Sequence, residues 1–335
     1  MEDFMIDNYI NSSRFLNALK IPEGHTISWS KLAQGEYNLN ILFRHPISEK
    51  QLVLRINYGS QMHLTNQIEY EYNALKDLET SGHTPKVFYV DGSLELLPHG
   101  VLVMEYLPGR ELNYKTDLYI AAKCLADIHS QPVSEANTLI KPKNSLSAIL
   151  SECENMFKVY EESPLGDNII KKRIRMMLDR AWNRVNDYSE TKADYKCCIN
   201  TELNSTNFLI NGQNKPNYVI DWEKPVYSIP AQDIGHFLAP TTTFWKTYII
   251  LEKSEAEEFV SYYIDKVNGR FNTDNLVKQV DTFIPVTCMR GLTWCAMAWV
   301  QYQSKDKGLT NESTKKKLED YLSSSFLDLI EENYS

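Results

Sequence analysis

Strand-forming sequence is confined to the first third of this chain and to one short stretch beyond its middle, and that asymmetry narrows the possible folds more than any other feature. Ile27 to Phe43 alternates and carries Gln34-Gly35-Glu36-Tyr37-Asn38, a turn between two strands. Leu52 to Ile56 reads as a third strand, and Val87–Val90 and Val101–Tyr106 as two more, separated by a polar hairpin at Asp91-Gly92-Ser93. A helix over Thr65–Thr80 places Ile68, Tyr72, Leu75 and Leu78 on one face and stops at Ser81-Gly82-His83-Thr84-Pro85. Residues 1–20 read as one amphipathic helix through Met5, Ile6, Tyr9, Ile10 and Leu16. After Tyr106 the pattern turns helical: Asp117–Ser130, a long region from Lys141 to Ser189 broken near Ser163-Pro164-Leu165-Gly166, and everything after Pro240. The exceptions are short strands around Cys197–Ile199 and Phe208–Asp221, turning at Asn211-Gly212. A chain of 335 residues with this order predicts an α+β fold in two lobes. Residues 1–106 form a five-stranded antiparallel lobe with a helix, and residues 107–335 a mainly helical lobe, joined near Leu107-Pro108-Gly109.

A formal net charge of −9 argues against a nucleic-acid partner, which needs basic clusters, and is compatible with a cationic one. The six cysteines (124, 153, 197, 198, 288 and 295) form no C-x-x-C pair, so reduced thiols in a cytoplasm are expected rather than a zinc site or a disulfide framework. Met1-Glu2-Asp3 does not open a secretion signal. The most apolar stretch, Phe283 to Tyr302, contains Arg290, Thr293 and Gln301 and reads as a buried helix, not a membrane span. Monomer and homodimer both remain open.

The chemistry concentrates in Asn200-Thr201-Glu202-Leu203-Asn204-Ser205-Thr206-Asn207 and the later Ile220-Asp221-Trp222-Glu223. An acid is followed five residues on by an amide, and fourteen residues after that by a second acid, each beside a short apolar run. Phosphoryl transfer in kinase-like enzymes uses this order: a base for the acceptor hydroxyl, an Asn ligand and an Asp ligand for a metal. Asn207 and Asp221 offer hard oxygen donors suited to Mg²⁺, which binds few protein ligands and completes its shell with phosphate and water. An Asn-rich loop alone would be an ordinary turn; its distance from the second acid favours the functional reading.

On these motifs the chain resembles the aminoglycoside phosphotransferase and choline kinase superfamily of small-molecule kinases, over roughly residues 25–300. That superfamily carries H-G-D-x-H-x-x-N and then I-D-W-E or I-D-F-E; here both His positions are Asn and the Asp is Glu202, while Asn207 and Asp221 are intact. Gln232-Asp233-Ile234 is similar to the later Asp-Leu-Ala. The resemblance implies ATP or GTP with Mg²⁺ as cofactors, and a protein-kinase-like fold. It implies a nucleotide-covering turn at Gly35, Tyr37 and Asn38, a phosphate-binding Arg55 paired with Glu71, and a hinge whose Glu105 carbonyl and Leu107 N–H meet the adenine. It implies Glu202 as catalytic base, with metal ligands Asn207 and Asp221.

Glu202 is longer than Asp by one methylene, ~1.5 Å, while the two carboxylates differ little in basicity. Geometry therefore decides between three readings. One is a small-molecule kinase. Another is a nucleotide-binding pseudokinase without transfer. The third is a kinase-fold enzyme performing nucleotidyl transfer, which would release pyrophosphate. Asn200 is expected to organise the loop in place of His through its amide. Substrate contacts are expected from Asp233, His236, Arg290 and Trp294. Trp245, Trp294 and Trp299 could cage a quaternary ammonium, although packing of the helical core is the plainer role. Thr241-Thr242-Thr243 reads as a helix cap. The acceptor, a small hydroxyl compound that could be cationic, is not readable from the residues.

Overall fold

The computed structural model describes residues 2–134, 136–186, 188, 191, 194–303 and 312–334. The end of the expected Lys141–Ser189 helical region, and parts of the stretch after Pro240, lie outside the described residues. The chain opens with α1 (Glu2–Ile10) and α2 (Ser13–Ala18), two helices where periodicity predicts one. Ser12 makes the break. Its backbone is extended, and its hydroxyl accepts from Phe15 N–H to cap α2. The apolar faces of both helices still converge, burying Ile6, Tyr9, Ile10, Phe15 and Leu16 with the sheet.

The sheet comprises β1 (Trp29–Gln34), β2 (Asn38–Arg44) and β3 (Gln51–Asn57), with α3 (Gln67–Leu78) next in the chain, then β4 (Val87–Asp91) and β5 (Gly100–Glu105). Its order is β1-β2-β3-β5-β4, antiparallel throughout. β3 is central and buried on both faces. Leu52, Leu54 and Ile56 join the core under α1 and α2, so alternation turns Val53 and Arg55 toward α3.

The helical lobe begins with α4 (Leu118–His129), α5 (Ser145–Glu162) and α6 (Asn168–Asn186). Four short strands follow: β6 (Cys197–Ile199), β7 (Phe208–Leu209), β8 (Tyr218–Val219) and β9 (Val226–Ser228). They form two separate ladders, β6 with β9 and β7 with β8. Then come α7 (Pro230–Leu238), α8 (Pro240–Thr247), α9 (Lys253–Val267), α10 (Leu276–Gln303), α11 (Glu312–Tyr321) and α12 (Ser324–Tyr334). β9 and α7 go beyond the sequence reading, because a three-residue strand carries no period. α8 differs from expectation as well: it starts at Pro240 without a side-chain cap, and Thr241, Thr242 and Thr243 are buried.

α10 is the one helix among the described residues long and apolar enough to cross a membrane, and 67% of its most apolar window is buried within the protein. It packs mainly on α5 and α7. The crossing with α7 depends on Gly235: a Cβ there would lie 2.6 Å from Phe283 Cβ and 3.2 Å from Ile284 N. This close approach fixes the helix that carries Asp233 and His236.

Candidate active site

The loop from Asn200 to Asn207 joins β6 to β7 and is held from below by Asp233 in the first turn of α7. Asp233 is fully buried and accepts from Asn200 N–H (2.7 Å) and Thr201 N–H (2.6 Å), with His129 Nε2 3.2 Å away. These contacts occupy both carboxylate oxygens. Asp233 is therefore a loop anchor, and the expectation that it touches an acceptor is corrected by its burial. Substituting Asp233 by Ala would leave two backbone donors and His129 Nε2 unpartnered in the interior, and should cost about 3–5 kcal/mol. A urea midpoint shift measures it, and a shift below about 1 kcal/mol would contradict the anchor role.

Asn200 organises the loop through both ends of its amide. Its Nδ2 donates to the Asp221 carbonyl (2.8 Å), and its Oδ1 accepts from Glu202 N–H (3.1 Å). Thr201 takes a left-handed conformation (φ 74°), and its hydroxyl donates to the Lys224 carbonyl at 2.9 Å. Phe208 pairs with Val219, and Ile220 N–H donates to the Asn207 carbonyl at 2.8 Å, so Asn207 and Asp221 emerge at the same end of the β7–β8 ladder. Asp221 is also left-handed (φ 64°), a conformation Asp tolerates better than most residues.

The Asn207 side-chain oxygen is buried and has no hydrogen-bond partner among the described residues, and the Asp221 carboxylate is half exposed. Glu223 lies two residues on. An orphaned amide oxygen beside carboxylates is an all-oxygen donor set of the kind Mg²⁺ takes. No cluster of three His, Cys, Asp or Glu suited to a metal occurs among the described residues; an Asn–Asp pair completed by phosphate oxygens does not require one.

Arg55 reaches this strip from β3. Its Nη2 lies 2.8 Å from Asp221 Oδ1 and 3.2 Å from Glu223 Oε2, and its Nε lies 3.3 Å from Glu71 Oε2. Glu71, not the exposed Glu69, is thus the helix partner. Burial pushes the Glu71 carboxyl up, to about 7, against the pull of Arg55 and with help from Asp221 and Glu223. Asn38 donates to Glu223 Oε2 (2.5 Å) and accepts from Asn57 Nδ2 (2.9 Å), while Gln67 donates to the Glu223 carbonyl at 2.6 Å. Gly35 and Tyr37 lie in a tight turn in which Gly35 N–H donates to the Asn38 carbonyl at 2.9 Å. A Cβ at Gly35 would meet only the Asn38 carbonyl, at 3.9 Å, so local packing does not demand glycine there. At the hinge, Glu105 N–H and Tyr106 N–H are bonded to Lys86 and Gln51 carbonyls. Among the described residues no hydrogen bond uses Leu107 N–H. A cavity of about 690 Å³ beside Arg44, Phe88 and Glu105 is lined by none of the catalytic candidates.

Glu202 faces two cations: Oε1 lies 2.6 Å from Lys224 Nζ and 3.2 Å from Arg290 Nη2. Burial raises its pKa, but Lys224 and then Arg290 outweigh that and hold it at about 2. Next to these groups lies a cavity of about 230 Å³, lined in part by Lys224, Arg290, His236 and Thr287. Burial and Arg290 draw His236 down to about 4, so the ring is neutral. Trp294 does not line this cavity; it is 40% exposed and stands edge-on to Trp245 (centroids 5.3 Å, 89°). Trp299 packs against Tyr160. Lys224 was within reach of sequence reasoning, as the residue after Ile220-Asp221-Trp222-Glu223. Glu152 on α5, bound to Arg290 at 3.0 Å, carried no signal.

The profile of the phosphotransferase enzyme family matches residues 28–269. No curated protein sequence matches the chain. Similar solved structures include a spectinomycin phosphotransferase in complex with ADP and spectinomycin, at 13% identity and TM-score 0.62, covering 91% of this chain and 92% of that one. A choline kinase from Cryptosporidium parvum Iowa II has 14% identity and TM-score 0.64, covering 99% and 97%. A Plasmodium vivax ethanolamine kinase has 14% identity and TM-score 0.62, covering 92% and 84%. Its sheet lobe, its helical lobe and the match over most of its length agree: the chain belongs to the phosphotransferase enzyme family.

Proposed function

We propose that the protein transfers the γ-phosphoryl group of ATP or GTP to a hydroxyl of a small molecule, with Mg²⁺ held by Asn207 and Asp221. Residues 1–106 would supply the nucleotide side and residues 107–335 the acceptor side, in a cytoplasmic enzyme. The observation that carries this reading is the anchored loop bearing Glu202 and Asn207, which Asn200 ties to the backbone of Asp221, the acid paired with Arg55. The bound nucleotides in family relatives such as the spectinomycin phosphotransferase add support.

In the reaction the acceptor oxygen bonds to the γ-phosphorus as the bond from that phosphorus to the nucleoside diphosphate breaks. The hydroxyl proton passes to Glu202 and on to solvent. When bound, a Mg²⁺ held by Asn207 and Asp221 would supply charge neutralisation on the phosphate oxygens. Arg55 would turn its planar fork from Asp221 to a phosphate while Glu71 keeps it oriented. A carboxylate held at about 2 is a weak base. The transfer transition state is loose and asks mainly for positioning, so Glu202 serves chiefly by orienting the hydroxyl.

A depressed carboxyl pKa means the ionised form persists until pH falls through about 2. The kcat/KM profile should therefore show no acid limb from Glu202 between about pH 3 and 8. An inflection near 4.5 that Glu202→Gln abolishes would contradict this. The decisive test of the function is a screen of hydroxyl compounds with Mg-ATP and Mg-GTP, read by mass spectrometry for phosphate adducts. A second reading, nucleotide binding without transfer, draws on the double clamp of Glu202 by Lys224 and Arg290. Its mark is a thermal shift with Mg-ATP and no turnover with any acceptor.

A further inference from the structure

The cavity beside Glu202 has an uneven hydrogen-bond account. Its carboxylates are already engaged: Glu152 holds Arg290 at 3.0 Å, and Glu202 holds Lys224 at 2.6 Å and Arg290 at 3.2 Å. Donors remain. Among the described residues Lys224 Nζ has one partner, Glu202, for its three N–H groups, and no hydrogen bond uses Arg290 Nη1, Gln232 Nε2 or either His236 ring nitrogen. The cations also sit deeper than the rim acid: the side chains of Lys224 and Arg290 are 15% and 22% exposed, that of Glu152 48%. An ammonium entering here would find both acids already ion-paired, with Glu202 Oε2 the one carboxylate oxygen left unused among the described residues, and two like charges fixed in place. An anion would find preorganised donors, one of them a guanidinium fork. The volume, about 230 Å³, is below the ~300 Å³ at which pockets for drug-sized ligands begin.

We infer that the acceptor is a small hydroxyl compound bearing an anionic group, a carboxylate or a phosphate, gripped by Lys224 and Arg290 while Glu202 turns to the hydroxyl. This deepens the kinase reading and rests on it. It replaces the cationic acceptor that the overall charge suggests, because net charge describes the whole surface and not this cavity.

The test sets matched series against the enzyme with Mg-ATP: short hydroxy acids and hydroxyalkyl phosphates, such as glycerate and glycerol 3-phosphate, beside glycerol, ethanolamine and choline. An anionic member should be phosphorylated with kcat/KM at least about 10²-fold above its uncharged counterpart, and the better of the two anionic arms names the group. Arg290→Lys keeps the charge but loses the fork, and should raise KM for that acceptor about tenfold with a smaller change in kcat. Transfer confined to neutral or amino alcohols overturns the inference and leaves the kinase reading intact. So does an equal rise in KM for charged and uncharged acceptors in Arg290→Lys. If nothing is phosphorylated, calorimetry on the enzyme with Mg²⁺ and a non-hydrolysable ATP analogue decides. Binding of the anionic series alone upholds the inference and defeats transfer; no binding of that series overturns it.

Discussion

Asp221→Ala should abolish Mg²⁺-dependent turnover, by about 10³-fold or more, while leaving the protein folded. The size follows from the role: a metal stabilising phosphoryl charge is worth several kcal/mol, and about 4 kcal/mol is a factor of 10³. The fold should tolerate the change because the Asp221 side chain is half exposed and its buried partner Arg55 has two further acids. Arg55 would keep Glu71 and Glu223. Magnesium-titrated turnover, the thermal shift produced by Mg-ATP and the urea midpoint together make the measurement. An unchanged rate and unchanged Mg-ATP affinity would remove Asp221 from the metal site.

Glu202→Gln should spare nucleotide binding and lower transfer by about 10²–10⁴-fold, the range for losing a positioned acid–base group. The amide matches the carboxylate in size but gives Lys224 and Arg290 no charge to hold. Equal turnover in wild type and variant would dismiss Glu202. Glu202→Asp completes the series: withdrawing the carboxylate ~1.5 Å breaks the 2.6 Å contact with Lys224. A site built around the longer side chain should then lose about 10²-fold, whereas a gain would show that Glu202 is a compromise.

The five-stranded lobe was legible because Ile27–Phe43 alternates, while Leu52–Ile56 and Val101–Tyr106 are short, largely apolar runs of strand length, as strands buried on both faces should be. The α1–α2 break was not, since a single capping serine inside an amphipathic run leaves the period intact. The β6–β9 pairing was hidden for another reason: Val226-Tyr227-Ser228 is three residues long, bounded by Pro225 and close to Pro230. In the site, spacing alone drew attention to Glu202, Asn207 and Asp221. Asp233 was noticed but given the wrong task, because a motif shows that an acid is present and not that it is buried under two backbone amides. Trp294 attracted attention by residue type, which cannot distinguish a ligand wall from one ring packed on another. The Glu152–Arg290 pair joins α5 to α10 across 138 residues, and no local pattern announces such a contact.

The bonds from Asn38, Arg55 and Gln67 to the Asp221–Glu223 strip fasten the sheet lobe to the helical lobe at the place where chemistry is proposed. Arg55 thereby acts as a counter-ion that neutralises acids which would otherwise repel one another, and under the proposed function a triphosphate with its own cation would relieve it of that duty. Severing the chain at the hinge would leave the Arg55–Glu71 pair without its acidic neighbours and strip both halves of shared support, so the two lobes should melt as one cooperative body.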